Sequence, residues 1–97
     1  MSFMERMENK IWTFRNRRGY RQWELAFLLN QKDTTQISRQ ERGMVIPDFK
    51  QVIKISYALE IEPKDLYPEL VGQWKREVDQ RKRELEKLKE EKEKKKL

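Results

Sequence analysis

Apolar side chains occupy 29 of the first 70 positions but only 6 of the last 27. A buried core can be drawn only from the front of the chain, and the back must remain a solvated appendage. The break lies between Pro68 and Gly72, which divides the sequence into an N-terminal extension (1–10), a folded domain (11–70) and a charged tail (71–97). A domain of that length can hold together without a metal or disulfide. The usual forms of both are excluded, because the chain contains no Cys and no His. Their absence also removes Cys and His nucleophiles and any general base that titrates unaided near neutral pH. The sequence therefore predicts a non-catalytic protein with no metal and no cofactor, carboxylate or Lys chemistry being the only residual option. No apolar run approaches the ~18 residues that span a bilayer, and MSFMERMENK has no secretory apolar stretch. The expectation is a cytoplasmic chain with no membrane contact, in keeping with the missing cysteines.

Within residues 11–70 no strand-like alternation of useful length occurs, while apolar spacings of three and four recur, so the fold class is all-α. Five short helices fit. The first places Ile11 and Phe14 on one face and stops at Gly19. The second runs from about Arg21, buries Leu25, Ala26 and Leu29, and ends at Asn30. A third begins at Asp33, whose spacing to Gln36 is that of a capping box, and ends at Gly43. Pro47 and Asp48 stop the chain and cap a fourth helix, in which Phe49, Val52, Ile53 and Ile55 to Leu59 form the most hydrophobic stretch and the expected central strut. Pro63 opens a fifth short helix through Leu66 and Tyr67, Ile61 and Leu66 close the core, and Pro68 interrupts before the tail.

Charge narrows the partner. The formal net charge is +6, and residues 15–42 hold seven basic against three acidic side chains, while residues 43–70 hold three against five. A positive face on an otherwise mixed domain suits an anionic partner. Two helices joined by a short turn, followed by a polar helix from Asp33, are the plan of a helix-turn-helix. RNRRGYRQWELAFLLN followed by DTTQISRQERGMVIPDFKQVIKISYALEIEPKDLY resembles the Cro/cI-type, or xenobiotic-response-type, helix-turn-helix regulators from about Ile11 to Tyr67. Leu25-Ala26, Ile37-Ser38, Glu41-Arg42-Gly43, Pro47, Ala58-Leu59 and Asp65-Leu66 carry the likeness. Two positions depart from the pattern: Arg21 replaces a Ser or Thr cap, and the turn between Ala26 and Ile37 is one residue longer.

The resemblance implies a compact, five-helix, repressor-like domain that lays helix 33–42 in the major groove of double-stranded DNA. Thr34, Thr35, Ser38 and Arg39 leave the face opposite Ile37 and offer hydroxyls and a guanidinium suited to base edges. The alternative is that the three hydroxyls only solvate an exposed helix and Arg39 pairs with a carboxylate. Gln22 matches a family position that touches phosphate, with plain capping as its other use. Gln36, Arg17, Arg18, Arg21 and Arg42 are the further candidates for the DNA backbone, or else a solvated face. The family pairs the positions of Arg15 and Glu41 in a partly buried ion pair, so structure rather than DNA contact is expected of these two.

From Val71 the tail reads as heptads, with Val71, Trp74, Val78, Leu85 and Leu88 at a and d positions and Arg81 as the misfit. Asp79 with Arg83, Glu77 with Arg81, Glu90 with Lys94 and Glu91 with Lys95 stand at i, i+4 and support a helix to at least Leu88. This helix can dimerise the protein, fold back on its own domain, or hold a protein partner. The expected function is a sequence-specific transcriptional regulator, repressor-like and dimeric. The alternatives are an antitoxin-type regulator with a protein partner, or a non-catalytic protein- or RNA-interaction adaptor.

Overall fold

A computed structural model describes residues 8–96, with side chains through Lys95; most of the expected N-terminal extension, residues 1–7, lies outside the described residues. The described chain is all-helical. It runs α1 (Ile11–Arg17), α2 (Gln22–Leu28), α3 (Thr35–Glu41), α4 (Phe49–Leu59), a 3-10 turn (Pro63–Asp65) and α5 (Pro68–Lys96). Gly19 and Gly43 close α1 and α3 with φ of 75° each, and Asn30 follows α2 with φ of 60°. In that left-handed region Gly carries no steric cost and Asn carries little. Asp48 caps α4 by accepting the Gln51 N–H at 2.8 Å. Arg21, which has no acceptor to cap α2, is replaced in that role by Glu24, whose carboxylate reaches back to the Arg21 N–H at 2.7 Å.

The core gathers one face from every short helix. Ile11, Leu25, Ala26, Leu29, Ile37, Ile55, Leu59, Leu66 and Tyr67 are buried, with Phe14, Tyr20, Val52, Ala58, Ile61 and Leu70 packed around them. The expectation for α4 needs correction. Phe49 and Tyr57 are 80% and 87% exposed, and Ile53, one turn from each, is also exposed. A helix packed against a domain this small can bury a single stripe, and the stripe through Val52, Ile55 and Leu59 is the one that turns inward. The fifth short helix is also reduced, to the 3-10 turn Pro63–Asp65.

Pro68 does not interrupt the tail; it starts it. At the first position of a helix a missing N–H is no loss, and the Tyr67 carbonyl accepts the first helical bond from Val71 at 2.9 Å. The chain therefore passes from the domain into 29 helical residues without a break, and Leu70 in the first turn still packs against the core. Glu, Lys, Arg and Leu, all good helix formers, carry it to Lys96. At 1.5 Å per residue α5 is about 43 Å long, which makes the molecule elongated rather than compact. Its extents are 65 × 34 × 22 Å and its radius of gyration is 19.1 Å, against about 12.5 Å for a compact chain of this length. No helix of the described residues is long and apolar enough to cross a membrane.

At the other boundary, residues 9 and 10 belong to the domain. The Lys10 N–H donates to the Leu66 carbonyl at 2.8 Å. Asn9 accepts from the Ile11 N–H at 3.1 Å and donates to the Gln40 carbonyl at 3.0 Å, joining the start of α1 to the end of α3.

Candidate nucleic-acid interface

Two helix ends and one carboxylate organise the surface of α3. Ile37 and Gln40 point inward and are buried, which fixes the rotation of the helix. Thr35, Gln36, Arg39 and Arg42 are then exposed or nearly so, while Thr34 and Ser38 are at most half-exposed. The helix starts two residues later than the sequence suggests. Asp33 does not form a capping box with Gln36; its carboxylate accepts the Thr35 N–H at 2.9 Å, a local turn that places Thr34 at the cap. That backbone hydrogen bond holds the Asp33 carboxyl below its usual 3.8. The outward set is therefore Thr35, Gln36 and Arg39, and Thr34 and Ser38 stand to the side.

Glu41 is the centre of the cluster. Its carboxylate accepts from Arg15 Nε and, at 3.0 Å, from Arg15 Nη2, while the third Arg15 nitrogen donates to the Tyr20 carbonyl at 2.8 Å. Gln22 Nε2 donates to the same Glu41 oxygen that Nη2 reaches, at 3.0 Å. The side chains of Arg15 and Glu41 are only 9% and 5% exposed. Three elements thus meet at one buried carboxylate, and a buried charge with this many donors is satisfied. Gln22, a phosphate candidate in the sequence, uses its amide nitrogen inside this cluster.

The basic residues divide. Arg17, Arg21 and Arg42 are exposed and stand next to, or two residues from, members of the Glu41 cluster. Arg17 lies over the Phe14 ring, 5.3 Å from its centre, and Arg42 bonds back to the Ser38 carbonyl at 3.3 Å. Arg18 is elsewhere. Its Nε donates to the Leu59 carbonyl at 3.0 Å and its Nη1 lies 3.4 Å from Glu60, so this side chain caps the end of α4. Sequence reasoning missed Asn9 and Glu24. The only signal for Glu24 was its spacing of three from Arg21; for Asn9 it was the place two residues before Ile11, whose N–H it accepts, since its other partners are 31 and 32 residues away.

The tail residues Val71 and Trp74 line an apolar groove with Ile46, Phe49, Val52 and Tyr67. Val78, Leu85 and Leu88 continue along α5 beyond it, each about half exposed. Arg81 is joined to Glu84 at 2.8 Å rather than to Glu77. Among the described residues no group of acidic side chains converges as a metal site would require. Compared with known proteins, the chain matches no family model, no curated protein and no solved structure.

Proposed function

We propose that this protein is a sequence-specific DNA-binding regulator that acts in the cytoplasm by occupying an operator, with α3 as the helix that enters the major groove. The observation that carries the reading is the rotation of α3: Ile37 and Gln40 lock its inner side, and Thr35, Gln36 and Arg39 face solvent as a polar, cationic strip. Hydroxyl, amide and guanidinium groups on one strip match the donors and acceptors of base edges. Arg17, Arg21 and Arg42 supply charge for phosphates on either side, a salt-dependent and sequence-independent contribution. The Arg15–Glu41–Gln22 cluster holds α1, α2 and α3 rigid with respect to one another, which base readout requires.

An electrophoretic shift against random genomic fragments tests the reading. A few fragments bound far above the rest is the expected result; uniform binding, or none, refutes it. Trp23 and Phe27, one turn apart on α2 and largely exposed, favour a second reading as a protein- or RNA-interaction adaptor. Under that reading Trp23→Ala with Phe27→Ala abolishes partner capture and leaves fragment binding, if any, unselective.

A further inference from the structure

The tail carries more order in its charges than its net charge suggests. With Val71 at position a of a heptad, the a and d seam from 71 to 88 is Val71, Trp74, Val78, Arg81, Leu85 and Leu88, and Lys92 and Lys95 at the next a and d positions end it. Every e position from 75 to 89 is then a lysine: Lys75, Lys82 and Lys89. Every g position from 77 to 91 is a glutamate: Glu77, Glu84 and Glu91. All of them lie on one continuous helix, exposed or half-exposed.

We infer that α5 pairs with α5 of a second copy as a parallel, in-register coiled coil. The inference rests on the proposed function only for its use, not for its geometry. In a parallel pair a g residue faces the e residue five positions further along the other chain. Glu77 then meets Lys82 of the second copy and Glu84 meets Lys89, and the twofold axis repeats both pairs. An antiparallel pair sets g against g and e against e, glutamate on glutamate and lysine on lysine. Each exposed pair is weak, but the contrast in sign between the two orientations is what selects one of them.

The structure supplies the seam. The groove that the domain offers α5 ends at Trp74, so among the described residues nothing beyond α5 itself covers Val78, Leu85 and Leu88. Arg81, the one charge in the seam between Val71 and Leu88, arrives with its counter-charge, Glu84 at 2.8 Å. The occupant is a second copy because one helix bears both signs at the positions that twofold pairing requires. A parallel pair also places both domains at the same end of the coiled coil, related by a twofold axis. Two copies of α3 would then address inverted half-sites on one duplex. An antiparallel pair would put the domains at opposite ends.

The absence of Cys makes the test direct. In the full chain, Leu88→Cys places a single thiol near the end of the seam, and Arg83→Cys places one at an outward position. In a glutathione redox buffer without DNA, Leu88→Cys is expected to form disulfide-linked dimer at least about tenfold in excess of Arg83→Cys, the mark of a raised effective concentration. Equal linkage of the two variants, or linkage of Leu88→Cys to a Val71→Cys chain in preference to itself, overturns the inference. Should Leu88→Cys loosen the seam, a charge exchange serves instead. The triple variant Glu77→Lys, Glu84→Lys, Glu91→Lys should sediment as a monomer at concentrations where the parent dimerises, and should pair when mixed with Lys75→Glu, Lys82→Glu, Lys89→Glu. An unaltered dimer in the first triple variant, or a parent that stays monomeric at tens of micromolar, overturns it equally. Selective DNA binding by a chain whose Leu88→Cys form stays unlinked removes the parallel pair alone. A linked dimer that selects no DNA removes the regulator reading alone.

Discussion

Arg15 of α1 and Glu41 of α3 meet through two guanidinium nitrogens in a pocket that leaves their side chains 9% and 5% exposed. A bidentate pair this far from water is held by geometry and by its other donors, since the cost of desolvating both charges cancels much of their attraction. Truncating either partner strands the other. Arg15→Ala or Glu41→Ala is expected to destabilise the domain by about 3 kcal/mol, and the double variant by less than the sum. Urea unfolding of the four members of that cycle measures it; additive losses below about 0.5 kcal/mol each would show that the pair contributes nothing.

For DNA, Arg39 and the rim arginines should behave differently. Arg39→Ala is expected to flatten the ranking of operator variants. Arg21→Ala or Arg42→Ala instead weakens binding to every sequence and lowers the salt slope by about one for each phosphate left without its cation. Arg18→Ala is expected to leave the salt slope unchanged and to lower stability, because its guanidinium holds the end of α4. Binding titrations at several salt concentrations separate the three behaviours, and a salt slope altered by Arg18→Ala would return that residue to the interface.

Tyr67 gives the domain an alkaline limit. Its hydroxyl is buried with no hydrogen-bond partner among the described residues, and burial pushes its ionisation up from 10.0 to about 12. The unfolded chain loses that proton first, so stability is complete below pH 10 and declines as the pH rises toward 12. Tyr67→Phe removes the unpaired hydroxyl and is expected to leave neutral stability unchanged or raise it by up to about 1 kcal/mol. It should also flatten the decline between pH 10 and 12 in a pH series of thermal melts. A loss above about 1 kcal/mol at pH 7 would mean that the hydroxyl has a partner.

Glu60 ends α4 in the left-handed region, at φ 57° and ψ 48°, where a side chain is strained. Its ion pair with Arg18 is long and exposed, worth little. Glu60→Gly is therefore expected to stabilise the domain by about 0.5–1 kcal/mol, read as a raised denaturation midpoint. A lowered midpoint would assign the Arg18 pair more weight than its exposure allows.

A gain is also expected within α5. A Cβ at Gly72 would meet only the end of the flexible Arg76 side chain, at 3.4 Å. Gly72→Ala should add about 0.5–1 kcal/mol to the junction between domain and tail, seen as slower amide exchange over the first turns of α5. Faster exchange would show that the junction needs the glycine.

The sequence by itself determined the four α-helices of the domain and most of its core. Periods of three and four mark one face per helix, Gly19, Asn30, Gly43 and Asp48 punctuate them, and Ile37, Leu25, Leu59 and Leu66 were legible as interior because the hydrophobic effect acts residue by residue. Tertiary structure decided what depends on neighbours far away in the chain. Phe49, Ile53 and Tyr57 look interior from composition, but the domain has room for only the opposite stripe of α4. Arg18 looks like Arg17 and Arg21 until the Leu59 carbonyl, 41 residues on, accepts its Nε–H. Asn9 lay in what reads as an extension until the end of α3 came within its reach. The starting point of α3 was also settled locally but not legibly, since Asp33 had two N–H groups to choose between and took that of Thr35. Local patterns mark which residues are apolar enough for the core; which of them the domain has room for, and which polar group meets which, is fixed only when folding brings distant helices together, because a hydrogen bond depends on a distance of about 3 Å that no spacing in the chain encodes.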